Sequence, residues 1–187
     1  MIVSAGRNES FNFATPIGVG LIESSINLTK ICLFNRPEYI LFIGSAGSYG
    51  KHNIFDIVES KSASNIELSF LQNFAYTPID NIIEIGTNFT KSKTVVNSSN
   101  YISTNKELSK EFLAYNLELE NMEFFSVLSV AKEFEIPAFG IFVVTNYTDS
   151  NAHEDFVKNH KSAMEKLIKY LEEKNIIKIK EEEIGKI

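Results

Sequence analysis

Apolar positions along this chain follow two patterns, and the patterns alternate. Tyr39–Ile43 and Ala138–Thr145 are short continuous apolar runs, and they predict strands buried on both faces. Asp56-Ile57-Val58 opens another strand, and Thr94–Asn97 is a further one leading into Ser98-Ser99-Asn100-Tyr101. Helical spacing marks other segments. Pro16–Cys32 predicts a helix entered through a tight turn, with Thr15 as cap and Ile17, Leu21, Ile22, Ile26 and Leu28 on its apolar face. Gly18 and Gly20 are poor helix formers in that window, so close backbone approach is their expected reason. Lys106–Phe112 predicts a short helix and Glu120–Phe134 a longer one. Asp155–Glu173 predicts the last, with Phe156, His160, Met164, Leu167, Ile168 and Leu171 in one stripe. Asn65–Glu84 is ambiguous and reads better as short strands than as helix. Lys174–Ile187 alternates Ile with Lys and Glu, as a solvated extension or a short strand does. Helices alternating with apolar strands imply an α/β layered domain.

Composition narrows the setting. A chain of 187 residues with 44% hydrophobic content suits one well-packed domain over residues 1–187, with 174–187 as its charged tail. The net charge is −6, and Arg7 and Arg36 are the only arginines, which argues against an extended nucleic-acid surface. The single Cys32 excludes an internal disulfide, fits a reducing compartment, and is read as a small buried hydrophobe. Met1-Ile2-Val3-Ser4-Ala5-Gly6 is too short for a secretory core, and no apolar run reaches membrane-spanning length. A cytoplasmic protein without membrane attachment is expected.

The candidate chemistry concentrates between Asn121 and Asn146. A helix start, Asn121-Met122-Glu123, sets an apolar side chain beside a carboxylate. A strand end, Val144-Thr145-Asn146, supplies an amide, followed by Tyr147-Thr148-Asp149-Ser150-Asn151-Ala152-His153. A carboxylate that grips two sugar hydroxyls and an amide that grips a purine edge would together suit a nucleoside. Taken singly, each residue has a plainer reading. Gly44-Ser45-Ala46-Gly47 after a buried strand is either a tight turn or a ligand loop beyond a strand's carboxyl end. It lacks the lysine of a phosphate-binding loop and the spacing of a dinucleotide fingerprint. Glu123 could simply favour its helix dipole, and Asp149 could cap the helix that follows. Tyr101 could stack on a base or cover core. His153 reads as a surface or supporting residue, and no Cys or His spacing suggests a metal site.

Order and spacing join these signals. Together they resemble the nucleoside phosphorylase and nucleosidase superfamily, which contains purine nucleoside phosphorylase and methylthioadenosine nucleosidase. Gly18-Val19-Gly20 resembles that family's glycine turn near the sugar. Gly44-Ser45-Ala46-Gly47 is similar to its glycine-serine-alanine-glycine loop, in which Ser45 and the amides of Ala46 and Gly47 would meet the acceptor or sugar. Phe55-Asp56-Ile57-Val58 looks like its glycine-aspartate-isoleucine-valine element. Tyr101 stands at the base-stacking aromatic, at the family's spacing before Met122. Met122-Glu123 matches the methionine–glutamate pair, with methionine under the ribose and glutamate on its 2′ and 3′ hydroxyls.

Three departures shape the expectation. Asn146 stands where nucleosidases carry a catalytic aspartate, and a shifted alignment would promote Asp149 instead. Asparagine offers a donor and an acceptor but no acidic proton, and it resembles the threonine–asparagine of phosphorylases that take 6-oxopurines. The chain is read as lacking the family's first strand and the arginine-bearing loop after it. Phe42 takes the place of a second phosphate arginine, which Arg7 or Arg36 could replace. The resemblance therefore implies a three-layer α/β sandwich with a central mixed sheet and its first strand missing. It implies an enzyme of purine salvage that cleaves the N-glycosidic bond of purine, preferentially 6-oxopurine, nucleosides. The acceptor is phosphate or water, inorganic phosphate is the one candidate co-substrate, and no metal or organic cofactor is involved. A strictly hydrolytic nucleosidase and a non-catalytic nucleoside-binding relative are the alternatives. An exposed sheet edge would call for a homo-oligomer.

Overall fold

The computed structural model describes residues 1–178, so most of the expected charged extension lies outside the described residues. Two long parallel strands organise the rest. Ile40–Ser48 (β3) and Ala138–Tyr147 (β9) pair from Ile40↔Ala138 to Ser48↔Tyr147. Side chains alternate across them, and both faces are buried, which explains why neither run shows polar alternation. One face carries Ile40, Phe42 and Phe142 into a core with Leu28, Phe124, Val127 and Leu128. The other carries Leu41, Ile43, Ile141 and Val143 against Ala163, Leu167 and Leu171.

Helices cover both faces. Gly20–Phe34 (α1) and Phe124–Glu133 (α4) supply the first core, and Ala152–Glu173 (α5) supplies the second. The result is a three-layer α/β arrangement around a mixed sheet. Ile2–Ser4 (β1) lies parallel to β3, and Thr15–Pro16 (β2) parallel to β1. Ile57–Ser60 (β4) runs antiparallel to β9, and the chain passes directly into Ser62–Ser64 (β5). Leu68–Leu71 (α2), Ile82–Glu84 (β6), Val95–Ser98 (β7), Lys106–Ala114 (α3) and Leu119–Asn121 (β8) complete the element order. Because β5 pairs with β7, β7 with β8 and β8 with the end of β3, the strand path closes upon itself. No helix among the described residues is long and apolar enough to cross a membrane.

Four expectations are corrected. An amino-terminal strand is present: β1 is only three residues long, too short to register as a strand pattern in Met1–Gly6. The first long helix starts at Gly20, not Pro16, because Gly18 and Gly20 take φ of +96° and +82°, outside the right-handed helical region. Thr15 and Pro16 form an edge strand, where proline's missing N–H is tolerated. Gly44–Ser48 is no turn but the continuation of β3. Glu120 belongs to strand β8, and α4 begins only at Phe124.

Glycine packing yields a stability test. A Cβ at Gly140 would lie 2.6 Å from the Phe142 ring and 2.7 Å from that of Phe124, whereas one at Gly86 would meet nothing within 4 Å. Gly140→Ala should lose about 1–3 kcal/mol by overpacking. Thermal melts should show a Tm drop of several degrees for Gly140→Ala and less than about 0.5 kcal/mol of change for Gly86→Ala. Equal melts would contradict the tight packing at β9.

Candidate functional site

A cleft of about 340 Å³ opens at the carboxyl ends of β1, β3, β8 and β9. Its walls bring together Ser45, Ala46, Gly47, Met122, Glu123 and Asn146 of the sequence-predicted residues. Gly18, Tyr101 and Asp149 are not among its lining residues. Tyr101 is 83% exposed, and its neighbour Ile102 reaches the cleft instead. The Asp149 carboxylate accepts the Asn151 N–H at 2.9 Å, a bond that organises the entry into α5. Gly18 turns the chain ahead of α1, and Val19 beside it lines the cleft. His153 lies at the mouth, exposed, in the first turn of α5.

Glu123 owes its availability to Asn121. The Asn121 Oδ1 accepts the N–H groups of Glu123 and Phe124, both at 2.9 Å, and so caps the start of α4. Its Nδ2 donates to the Ser45 carbonyl at 3.1 Å, tying β8 to β3. The Glu123 carboxylate, freed from capping, accepts the Gly20 N–H at 2.9 Å at the amino end of α1. Neighbouring N–H groups of that end go to other side chains: Val19 to Glu23 at 3.0 Å and Leu21 to Asn100 at 2.9 Å. Side chains 79 and 103 residues distant in sequence thus close the start of α1 onto the cleft. Burial pushes the Glu123 carboxyl up to about 7, against the pull of the Gly20 N–H and with a push from Glu9.

Two further carboxylates, absent from the sequence reading, line the same cleft. Glu9 is buried, and it accepts both the Ser45 N–H at 3.1 Å and the Ser45 hydroxyl. Burial raises its carboxyl above the usual range, while the two Ser45 bonds lower it. Gly44 makes room for it, since a Cβ there would lie 2.6 Å from Glu9 Oε2. Glu120, on β8, accepts the Ser103 N–H at 2.9 Å, the Ser103 hydroxyl and the Tyr49 hydroxyl at 3.1 Å. It too is raised by burial, with these donors opposing. A signal for each was present. Glu9 follows an Ile2–Ala5 apolar run and a glycine, as a residue just past a strand end does. Glu118 and Glu120 alternate with Leu117 and Leu119, a period of two.

Asn146 reaches the cleft through a bulge. Ala46 pairs with Val144 but Gly47 pairs with Asn146, so Thr145 is skipped and the following residue is re-aimed. The Asn146 Oδ1 accepts the Thr145 hydroxyl at 2.8 Å, and its Nδ2 donates to the Tyr147 carbonyl at 3.0 Å. Positive charge is scarce here. The Arg7 side chain is 73% exposed and 3.7 Å from Glu23. Arg36 donates to the Phe134 carbonyl, away from the cleft, and Phe42 lies in the core between Phe124 and Phe142. No group of three His, Cys, Asp or Glu side chains among the described residues could hold a metal ion.

The Glu123 carboxyl makes folding pH-dependent. Below its unfolded value near 4.5 both states are protonated, so its burial costs nothing. As pH rises to about 7 the unfolded chain ionises first, and stability falls, by on the order of 3 kcal/mol. Glu123→Gln should therefore flatten the decline in Tm between pH 5 and 7.5. Parallel wild-type and variant curves would rule out this burial.

The same architecture occurs in solved structures. A Helicobacter pylori MTAN aspartate-to-asparagine variant with 5′-methylthioadenosine in its active site superposes with a TM-score of 0.77 at 17% identity, covering 92% of this chain and 95% of that one. A futalosine hydrolase mutant of Helicobacter pylori strain 26695 gives 0.75 at 19% identity, over 91% and 95%. A 5′-methylthioadenosine/S-adenosylhomocysteine nucleosidase from S. pneumoniae, with a transition-state inhibitor, gives 0.75 at 11% identity, over 91% and 95%. No curated protein matches the sequence. The family model of the phosphorylase superfamily matches residues 84–173, which carry β7, β8, α4, β9 and the Met122-Glu123 pair. Residues 84–173 thus match the phosphorylase superfamily, and the whole chain shares the fold of these nucleosidase and hydrolase structures.

Proposed function

We propose that this protein hydrolyses the N-glycosidic bond of a purine nucleoside, with water as the acceptor. The observation that carries the reading is the buried Glu9 carboxylate on Ser45, in a cleft where the resemblance would place phosphate-binding arginines and Phe42 is core instead. A carboxylate held partly out of water is a stronger base once ionised. Glu9 would take a proton from water as its oxygen attacks C1′. Glu123 would grip the ribose hydroxyls through charge-assisted bonds, with Met122 packed beneath the sugar. Asn146 would hold the purine edge, and an amide there supports 6-oxopurine bases. Tyr101 stands too far into solvent to stack as placed, and Ile102 offers the apolar wall instead. The nucleoside ligand named for the Helicobacter pylori MTAN structure supports the substrate class.

The test is base release from inosine, guanosine, adenosine and 5′-methylthioadenosine, each with and without phosphate. Release without phosphate, yielding free sugar, is expected. Strict dependence on phosphate, with a sugar 1-phosphate product, would replace hydrolysis by phosphorolysis. Glu9→Gln should lower kcat about a hundredfold or more, with KM little changed. Binding without turnover on every nucleoside would favour a non-catalytic relative, the reading that Asn146 in place of an acid supports.

A homo-oligomer is also proposed. The sheet edge at β1 is covered by β2, so the support comes from elsewhere, namely α1, whose Ile22, Leu33 and Phe34 are 71%, 66% and 89% exposed. Light scattering at micromolar concentration should give a multiple of 21.1 kDa, and a monomer mass would exclude it.

A further inference from the structure

Cleaving a purine from C1′ leaves an electron pair on the base, and the departing ring needs a proton or an equivalent donor. Asn146, at the end of β9, cannot release one. The structure offers a different acid at the same end of the cleft. Gly47 pairs with Asn146 on β9 and with Glu120 on β8, so these three residues form one row across adjacent strands. Paired residues project from the same face of a sheet. A Cβ on Gly47 would lie 3.1 Å from Asn146 Nδ2 and 3.8 Å from Glu120 Cβ. The missing side chain lets the Asn146 amide, the Thr148 methyl, also 3.1 Å away, and the start of the Glu120 side chain draw together over Gly47.

From this row we propose that Glu120 is the catalytic acid of the cleft, donating its proton to the departing purine while Asn146 holds the opposite edge. This inference rests on the nucleoside-cleaving reading above. In the step, the Glu120 O–H proton passes to a ring nitrogen of the base as the C1′–N bond breaks and its electron pair moves onto the purine. Water forms the new bond to C1′ and gives its proton to Glu9. Proton exchange with solvent then returns both carboxyls to their starting states.

Burial favours a neutral carboxyl at Glu120, against the pull of its hydrogen-bond donors. Glu120 is 6% exposed, and its direct partners are the Tyr49 hydroxyl and Ser103, both uncharged. Tyr49 itself is buried and stacked on Phe112, with the Asn97 amide 3.4 Å from its hydroxyl. The basic side chains next to Tyr49 in sequence are already engaged: Lys51 and His52 pair with Glu118 at 2.5 and 2.8 Å. Arg7, His153, Glu9 and Glu123 complete the titratable lining of the cleft. No cation among the described residues is bonded to Glu120.

Leaving-group dependence tests the proposal. A purine nucleoside needs its base protonated to depart, whereas the nitrophenolate of 4-nitrophenyl β-D-riboside leaves without a proton. Glu120→Gln, isosteric with the wild type, should lose about a hundredfold in kcat/KM on the purine nucleoside and no more than a few-fold on the aryl riboside. The double variant E120Q/N146D, which returns a carboxyl to the other end of the row, should regain at least about tenfold of the purine loss. Equal losses on both substrates, or no loss on either, would overturn the assignment of Glu120 alone. Wild-type protein that cleaves neither substrate would overturn the nucleoside-cleaving reading and this inference with it. Retained aryl riboside cleavage by E120Q would itself show that the variant is folded.

Discussion

The site depends on one stretch of backbone, the last five residues of β3. Gly44-Ser45-Ala46-Gly47-Ser48 continues the central strand, yet it must leave the cleft open on its way. It does so by omission. Gly44 leaves the space taken by the Glu9 carboxylate, and Gly47 leaves the space taken by the Asn146 amide and the Thr148 methyl. Ser45, between them, contributes two donors to Glu9 and a carbonyl to Asn121. A Cβ at either glycine would meet a side chain of the cleft, Glu9 at Gly44 and Asn146 at Gly47. Register completes the arrangement, because skipping Thr145 brings Asn146 rather than threonine into line with Gly47.

Around this strand the protein holds three carboxyl groups in one cleft, against the preference of charged groups for water. Each is kept by donors from a different part of the chain. Ser45 serves Glu9, Gly20 serves Glu123, and Ser103 with Tyr49 serves Glu120. Burial still wins, since all three carboxyls are raised, and Glu9 adds repulsion to Glu123. Folding therefore carries an electrostatic strain that a polyol can relieve. Sugar hydroxyls donate hydrogen bonds without adding charge, and they would satisfy lone pairs the protein leaves open. Such strain is the ordinary counterpart of a prepared site, in which stability is given up for interactions made with the ligand.

The long periodic elements were legible because their pattern is set by burial alone. The apolar runs of β3 and β9 and the stripe of α5 are read by the same hydrophobic faces that pack them. Short elements were not. Three-residue strands such as β1 and β8 draw their stability from neighbours already in the sheet, so their own residues need show little pattern. Glu9 and Glu120 were lost with them, whereas Met122, Glu123, Ser45 and Asn146 stood out by order and spacing. Tyr101 shows the opposite case. Its spacing before Met122 fits the family, but its loop places the ring in solvent and the next residue in the cleft. A one-residue offset in a loop leaves spacing nearly intact and changes which side chain arrives.

Charge supports water over an anion as the acceptor. A phosphate brought to C1′ would enter beside Glu9 and Glu123, and each fixed guanidinium the resemblance would supply there has a different fate in this chain. Phe42 is fully buried between aromatic rings, so no small shift could turn a cation into that place. Arg36 is committed to the carbonyl at the end of α4. Among the described residues Arg7 is the cation left at the cleft, mostly solvated and beside Glu23, where its field is screened. A dianion would therefore face uncompensated carboxylates in a region of low dielectric. Water brings no charge to that end, and Glu9, oriented by Ser45, would serve it as base. The feature that opposes phosphate is thus the same one that would activate water.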